Sequence, residues 1–273
     1  MLFSSKKVDT MKGGKVELYI HETLESKGAM LFSLIDPVDY KSKEEIIKTV
    51  KNLVEGGTDA VLIGGSTEVQ GEMLDQVSKE IKDFIDVPLI LFPGNISSVT
   101  RYADAIYFMS LLNARNPYWI IQAQMLSGVT IKKFGIEPLP VGYIVVAPGG
   151  TVGWVGDANL IPREKPKLAA SLALAGEFLG NRIIITDTGS NPRLQHSGPV
   201  PPEMIRMVKS AITVPYVVAG GILTTTDLKR TYQSGADIAQ IGTAFEDTDH
   251  ALQRIKTFAR IAKEEGMKKL KKA

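Results

Sequence analysis

The sequence contains no cysteine, which excludes disulfides, thiolate metal sites and cysteine nucleophiles. It has three histidines, His21, His196 and His250, too few to favour a metal centre held by histidine. No apolar run approaches the ~18 residues that a membrane span requires, and the first residues show no apolar signal-peptide core. We therefore expect a soluble protein of the cytoplasm.

Neither sign of charge dominates the chain. Its 32 lysines and arginines are nearly balanced by 30 aspartates and glutamates, which leaves a net charge of +2. A nucleic-acid-binding protein would concentrate basic residues on one face, so we expect no nucleic-acid partner. Lysines do cluster in residues 6–15 and 268–272. One interpretation is that both ends are solvated, frayed tails. The functional alternative is peripheral contact with an anionic membrane.

Short β-branched runs alternate with longer segments of helical period from residue 29 nearly to the end. The chain has 273 residues, 44% of them hydrophobic, and a (β/α)₈ barrel typically takes about 250. We predict a single-domain TIM barrel at 15–265 with an extra N-terminal helix, between a flexible segment at 1–14 and a lysine-rich tail at 266–273. An open, doubly wound sheet is the alternative. The predicted strands are 29–36, 59–65, 88–92, 104–110, 140–147, 182–187, 215–219 and 237–242, and the predicted helices include 16–26, 42–55, 68–84, 118–134, 167–179, 202–210 and 249–265.

The aspartates fall into two groups by their position relative to these strands. Asp59, Asp104 and Asp237 precede their strands, on the face of a barrel where carboxylates serve stability. Asp36 and Asp187 follow theirs, on the face where barrel enzymes carry out chemistry. These last two are the candidates for function.

Glycine-bearing turns follow each of the last three predicted strands. Glycine lets the backbone approach a ligand closely, and exposed N–H groups at a helix start favour an anion. TIM barrels often hold phosphate beside the loops after strands seven and eight. Thr224 and Thr225 after strand seven are also good helix caps. We predict a phosphate site in the turns Thr188-Gly189-Ser190, Gly220-Gly221 and Gly242-Thr243.

A second polar cluster follows the first two strands, in residues 34–37 and 64–67. Asp36 supplies a carboxylate and Ser66 a hydroxyl, which suit Mg²⁺ because that ion takes few protein ligands and prefers phosphate oxygens and water for the rest. An aspartate before a proline is also an ordinary turn. A phosphate site and a Mg²⁺ site on opposite sides of the barrel mouth would accommodate two phosphorylated ligands.

Seven motifs stand out along the chain. They are LIDP (34–37), GGST (64–67), LFPGN (91–95), FMSLLNARNP (108–117), VGYIVV (141–146), PVPPEM (199–204) and VAGGI (218–222). Together they resemble the geranylgeranylglyceryl phosphate synthase family over about residues 15 to 262. The resemblance is to the larger archaeal branch, whose members are commonly hexameric, and it implies a homo-oligomer, a hexamer or a dimer. The related bacterial branch uses heptaprenyl diphosphate.

The resemblance implies a Mg²⁺-dependent prenyltransferase that joins sn-glycerol 1-phosphate to geranylgeranyl diphosphate and releases diphosphate. This reaction makes the first ether bond of archaeal membrane lipids. By the same resemblance, Asp36 and Ser66 hold Mg²⁺ and the diphosphate, and Asp187 is the catalytic base. The glycerol phosphate would contact Ile185, Thr186, Asp187, Thr188, Gly189, Ser190 and Asn191, with Gly220, Gly221, Gly242 and Thr243 around its phosphate.

The chain departs from the family pattern at the proposed base. Where the family usually reads Tyr-Leu-Glu-Ala-Gly-Ser-Gly, residues 185–191 read Ile-Thr-Asp-Thr-Gly-Ser-Asn. Asp187 therefore keeps a carboxylate on a stem one methylene shorter, and Ile185 replaces a tyrosine. The loop at 192–198, with Arg193 and His196, is longer than usual. The common DPDK or DPEK signature reads DPVD at 36–39.

Two further segments, at 149–156 and 120–129, are candidates for parts of the site. Residues 149–156 are glycine-rich and predict a flexible lid, in which Trp154 is a lid anchor, a subunit-interface residue or simple packing on the barrel rim. Residues 120–129 are apolar enough to form the wall of a prenyl groove, although such stripes also occur in cores.

Two alternative functions remain open for the chain. One is a sugar-phosphate isomerase or aldolase, and the other is a non-catalytic binder of phospholipid precursors.

Overall fold

Eight parallel strands close into a barrel in the order of the chain, β1 to β8, with β8 paired to β1. The structure is a computed structural model that describes residues 13–65, 69–190, 197–246 and 251–272. The strands are β1 (Met30–Ile35), β2 (Ala60–Ile63), β3 (Leu89–Leu91), β4 (Ala105–Leu111), β5 (Glu137–Val145), β6 (Ile183–Asp187), β7 (Tyr216–Ala219) and β8 (Ile238–Ile241). The predicted TIM barrel is confirmed, and the open sheet is wrong.

Helices cover the outside of the barrel and one closes its lower end. They are α1 (Lys15–Lys27), α2 (Lys43–Gly56), α3 (Gly71–Lys82), α4 (Ala123–Phe134), α5 (Gly150–Val155), α6 (Pro166–Phe178), α7 (Pro202–Ala211), α8 (Thr225–Gln233) and α9 (Ala251–Leu270). Local signals set their ends: Ser42 caps α2 and Gly57 ends it in a left-handed conformation. In α8, Thr224 and Asp227 form a reciprocal capping box.

Alternation along the strands divides the core into two layers. Inward side chains such as Phe32, Leu62 and Val141 fill the barrel, and outward ones such as Leu31, Val61 and Val218 pack against the helices. This is the double burial expected of parallel strands. No helix within the described ranges is long and apolar enough to cross a membrane.

The three lower aspartates repeat one stabilising arrangement. Asp59 accepts hydrogen bonds from Lys27 Nζ at 2.6 Å and from the Leu31 N–H at 2.8 Å. Asp104 does the same with Lys82 and Leu89, and Asp237 with Lys209 and Tyr216. Each carboxylate ties the start of a strand to a helical lysine, which agrees with the structural role predicted for this face.

Helix α1 closes the bottom of the barrel. Val16 and Ile20 pack into the inner layer, and Arg182 Nε donates to Glu17 Oε1 at 2.7 Å. The Glu137 carboxylate accepts from the N–H groups of Val16 and Glu17, at 2.7 and 2.9 Å. A carboxylate at a helix N-terminus pairs with unsatisfied donors and the positive end of the dipole. This closure leaves the upper end as the open face.

Several predicted boundaries differ from the structure. β5 begins at Glu137 rather than 140, because the segment pairs with β4 from Ala105 onward. The predicted flexible stretch 149–156 contains helix α5. Helix α9 runs to Leu270, so the segment predicted as a tail from 266 is helical there, with Lys269 Nζ 3.6 Å from Asp237 Oδ1. Residues 1–12 and 273 of the predicted tails lie outside the described residues.

Candidate active site

A cleft lined by two carboxylates and several glycine turns, here called the polar cleft, opens at the carboxyl ends of the strands, the face predicted to carry function. It contains the upper ends of β1 and β6 to β8, so residues far apart in sequence meet there. Both Asp36 and Asp187 face it. The predicted residues that line it are Asp36, Asp187, Gly189, Ser190, Gly220, Gly221, Gly242 and Thr243.

Asp187 is the last residue of β6 and is almost fully buried, at 6% exposure. Its Oδ2 accepts a hydrogen bond from Tyr143 Oη at 2.7 Å, and its Oδ1 accepts one from the Gly189 N–H at 2.6 Å. Burial raises the pKa of Asp187 above its ordinary value, and the two hydrogen bonds oppose that rise. A carboxyl in such surroundings is a stronger base than an exposed aspartate and is held in one orientation.

Tyr143 belongs to the site although sequence reasoning did not single it out. It lies on β5, directly opposite Ile185 in the strand register. Its ring packs edge-on against Phe92, with 5.7 Å between ring centroids. Burial and the neighbouring Asp187 charge raise its pKa well above the ordinary value, so it is a neutral hydrogen-bond donor. The sequence signals for it were the inward period-2 pattern of β5 and its place in the motif VGYIVV (141–146).

The turns after β6 and β7 bring backbone close to the cleft. Gly220 has φ +81°, and a Cβ at this position would lie 2.5 Å from Asp187 Oδ1 and 2.6 Å from Thr188 Oγ1. Gly189 has φ +83°, and a Cβ there would lie 2.4 Å from the Gly149 carbonyl oxygen. Both positions therefore exclude side chains for conformational and steric reasons. The result is a concave backbone surface of the kind that binds phosphate.

Three predicted substrate contacts have side chains that do not line the cleft. Ile185 is fully buried in the inner layer of the barrel. Thr186 points outward, with its Oγ1 2.6 Å from Tyr216 Oη. Thr188 is buried, and its Oγ1 has no hydrogen-bond partner among the described residues. Alternation along β6 turns only Asp187 toward the cleft, from above the Ile185 layer. Contact of these three residues with a substrate stays a prediction.

Of the two predicted metal ligands, Asp36 lies among the residues that the structure describes and Ser66 does not. Asp36 faces the cleft from the end of β1, and a Cβ on Gly65 would lie 2.9 Å from its Oδ1. The described ranges contain no cluster of three or more histidine, cysteine or acidic side chains placed to hold a metal. One carboxylate beside an open cleft nevertheless fits Mg²⁺, which keeps water and phosphate oxygens as its other ligands. Ser66, Asn191, Arg193, His196 and His250 lie outside the described residues.

An apolar groove adjoins the polar cleft. Five residues line both cavities: Pro93, Gly94, Met109, Tyr143 and Val152. From this junction the groove extends between β4 and α4 to residues such as Val99 and Ile131. The predicted wall at 120–129 is divided: Ala123, Gln124 and Ser127 line the groove, whereas Ile121, Met125, Leu126 and Val129 are exposed on the other side of the helix.

Trp154 on α5 is 87% exposed, which excludes packing onto the barrel rim. Its neighbour Val152 lines both cavities, so α5 stands at the edge of the site. A tryptophan so exposed on a short ordered helix is available to another surface.

Comparison with known proteins gives consistent matches over most of the chain. A family model described as the PcrB family matches residues 21–261. A geranylgeranylglyceryl phosphate synthase of Pyrococcus abyssi is 50% identical over 254 residues, covering 92% of this chain and 98% of that protein. The enzyme of the same name from Pyrococcus horikoshii is 55% identical over 233 residues, covering 85% and 89%.

A solved structure shows the same fold with a ligand bound. It is (S)-3-O-geranylgeranylglyceryl phosphate synthase from Thermoplasma acidophilum in complex with its substrate sn-glycerol-1-phosphate. The TM-score is 0.85 at 32% identity, and the match covers 93% of this chain and all of that one, at 100%.

Proposed function

The chain belongs to the PcrB family and is a prenyltransferase, and we propose that it joins sn-glycerol 1-phosphate to geranylgeranyl diphosphate. The products are geranylgeranylglyceryl phosphate and diphosphate, and the new bond is the first ether bond of archaeal membrane lipids. The observation that carries this proposal is the meeting of a polar cleft and an apolar groove beside a buried carboxylate. A phosphorylated acceptor and an isoprenoid donor require those two environments side by side.

The glycine turns after β6, β7 and β8 bind the phosphate of the acceptor. Gly189 and Gly220 exclude side chains, and Gly221, Gly242 and Thr243 continue the same wall. Ser190 adds a hydroxyl at the cleft edge. Backbone N–H groups in such a concave surface are the usual protein partners of a phosphate in this part of a TIM barrel. Thr188 and Asn191 complete the proposed acceptor segment, and Ile185 and Thr186 support it from within β6, where they pair with β5 and β7.

Asp187 is the general base. The acceptor hydroxyl oxygen forms a bond to the allylic C1 of the donor while the bond from C1 to the diphosphate oxygen breaks, and its electron pair leaves with the diphosphate. The proton of the hydroxyl passes to Asp187. Burial raises the pKa of this carboxyl, which strengthens it as a base for an alcohol.

We propose Mg²⁺ as the metal, held by Asp36 and Ser66 together with the donor diphosphate. When bound, the ion neutralises charge that develops on the leaving diphosphate. Asp36 faces the cleft across from the phosphate-binding turns, so the two phosphorylated groups bind at opposite sides of one opening.

The apolar groove holds the isoprenoid chain. Its lining is dominated by side chains without charge, including Val99, Phe108 and Ile131. Apolar surface of this kind gains free energy by excluding water from the chain, at about 25 cal/mol per Å² of buried surface. The groove meets the cleft at Tyr143, so C1 of the donor lies near Asp187 and the diphosphate lies toward Asp36.

We also propose that the enzyme works in the cytoplasm as a homo-oligomer, a dimer or a hexamer. The exposed Trp154 and the exposed outer face of α4 supply apolar surface for contact between subunits. Peripheral contact with the membrane, through the terminal lysines, would bring the enzyme to the compartment of its lipid product.

The test is transfer of label from sn-glycerol 1-phosphate into the organic phase in the presence of Mg²⁺. Geranylgeranyl diphosphate is the donor, with heptaprenyl diphosphate in parallel and a chelated sample as control. We expect metal-dependent transfer with the C20 donor. Absence of transfer with either donor, while glycerol phosphate still binds, would support the non-catalytic alternative and contradict the proposal.

A further inference from the structure

Tyr143 occupies the point where the polar cleft and the apolar groove meet. It is one of the five residues that line both cavities, and among these five it alone carries a polar side-chain group. Its ring is held by edge-on packing against Phe92, which itself packs edge-on against Tyr107 at 5.6 Å. Tyr107 and Tyr143 are buried and Phe92 is half-buried, so the position of the hydroxyl is set by aromatic packing rather than by a surface rotamer.

The hydroxyl is directed at one atom of the proposed base. Tyr143 Oη lies 2.7 Å from Asp187 Oδ2, while the Gly189 N–H lies 2.6 Å from the other oxygen, Oδ1. Two donors on separate oxygens fix both the position and the rotation of the carboxylate. A short β6 side chain has few rotamers, and these two contacts select one of them.

We propose that Tyr143 is a positioning residue for prenyl transfer, whose hydroxyl holds the Asp187 carboxylate toward the junction where acceptor oxygen and allylic carbon meet. This inference depends on the proposed function. The residue with this role lies on β5 rather than on β6. It pairs in register with Ile185, whose side chain cannot form a hydrogen bond. Tyr143 acts through Asp187 and does not transfer the proton.

The chemistry agrees with that division of roles. Burial keeps the Tyr143 phenol neutral, so it remains a donor when Asp187 is ionised. When Asp187 accepts the proton of the acceptor hydroxyl, Tyr143 keeps its own proton and its contact with Oδ2. The ionisable side chains that line the cleft, within the described residues, are Asp36, Tyr143 and Asp187, and of these Tyr143 is the one in contact with the base.

The test compares Tyr143→Phe with the wild type in the label-transfer assay. A hydrogen bond to a charged group corresponds to roughly a tenfold to hundredfold change in rate. We expect kcat to fall by about that factor, with the KM for glycerol phosphate changed less than about threefold. Because the lost donor stabilised the carboxylate anion, its loss raises the pKa of Asp187. The acid limb of the kcat/KM profile should therefore move to higher pH.

Three controls separate this role from simple packing. Tyr232→Phe removes a buried tyrosine hydroxyl that bonds the Met30 carbonyl oxygen at 2.7 Å, far from the cleft, and should leave the acid limb unchanged. In an Asp187→Asn background, Tyr143→Phe should have little further effect, because the tyrosine acts through that carboxylate. Site-specific 3-fluorotyrosine at 143 keeps the ring and strengthens the donor, so it should move the acid limb to lower pH.

A kcat within twofold of the wild type and an unmoved acid limb in Tyr143→Phe would overturn the proposal. So would a full Tyr143→Phe effect in the Asp187→Asn background. If Tyr143→Phe does not fold, an acid limb unchanged by 3-fluorotyrosine overturns it instead. Failure of the wild type to turn over any donor is a different result, because it refutes the proposed function rather than the role of Tyr143.

Discussion

The carboxyl group of Asp187 combines two requirements that oppose each other at the level of a single residue. As the base that we propose, it must be buried to exclude water from an allylic carbon, yet it must be an anion to accept a proton. Burial raises its pKa, and the donors Tyr143 and Gly189 limit the rise. A single aspartate on a short stem therefore depends on neighbours that the sequence places 44 residues before and 2 residues after it.

Replacing Asp187 with asparagine tests the base directly. The amide has nearly the same shape but accepts no proton, so we expect turnover to fall by at least about a hundredfold. Glycerol phosphate should still bind, because the phosphate contacts that we propose are made by other residues. Label transfer measures the first quantity and calorimetric titration the second. Asp104→Asn, which alters a lower-face carboxylate, is the matched control, and retained turnover in Asp187→Asn would refute the assignment.

Gly220→Ala tests the phosphate-binding wall. The added Cβ would lie 2.5 Å from Asp187 Oδ1 at a backbone φ of +81°, so it meets both strain and crowding. We expect affinity for glycerol phosphate to fall at least about tenfold and unfolding stability to fall by about 2 kcal/mol or more. Titration calorimetry and thermal unfolding measure these changes.

Gly180→Ala is the matched control for Gly220→Ala. Gly180 has φ +98° and nothing within 4 Å of an added Cβ, so only the backbone cost of about 1 kcal/mol remains. Its ligand affinity should stay at the wild-type value. Equal losses of affinity in both variants would show that Gly220 is not part of the phosphate site.

At the scale of elements, α4 illustrates what periodicity predicts and what it leaves open. The apolar run at 120–129 is evident in the sequence, but the pattern does not say which side faces the barrel. The structure begins the segment with a π-helical turn, Tyr118–Gln122, and turns Ala123, Gln124 and Ser127 toward the groove. The less apolar side of the helix therefore lines the cavity, and β4 with the loop after β3 supplies much of the apolar surface of the groove.

Ser127→Phe tests whether this groove holds the isoprenoid chain. The phenyl ring would occupy part of the groove, so kcat/KM should fall by about tenfold or more for geranylgeranyl diphosphate. It should fall much less for the C10 donor geranyl diphosphate. Val129→Phe, on the exposed side of the same helix, is the control and should affect neither donor. Equal losses with both donors in Ser127→Phe would place the chain elsewhere.

At the scale of the whole molecule, the sequence was sufficient for the barrel and for the division of its two faces. Eight β-branched runs and the aspartates before and after them predicted the strands, and the contacts of Asp59, Asp104 and Asp237 agree with a structural lower face. Tyr143 was not predicted, because its contact with Asp187 depends on register between neighbouring strands. A period-2 pattern specifies which face a residue takes but not its partner on the neighbouring strand.

The homo-oligomer that we propose is a property of the whole molecule, and Trp154 is a residue at which it can be tested. Trp154 is 87% exposed in the single chain. Burying it against a second copy would remove roughly 150–250 Å² of surface from water. We expect Trp154→Ala to lower the oligomeric order seen by light scattering with size exclusion, while the monomer keeps its fold by circular dichroism. Phe178→Ala removes another exposed aromatic, 78% exposed at the end of α6, and should leave the mass unchanged. An unchanged mass in Trp154→Ala, or dissociation in Phe178→Ala instead, would move the interface away from α5 and leave the tryptophan as a component of the site edge.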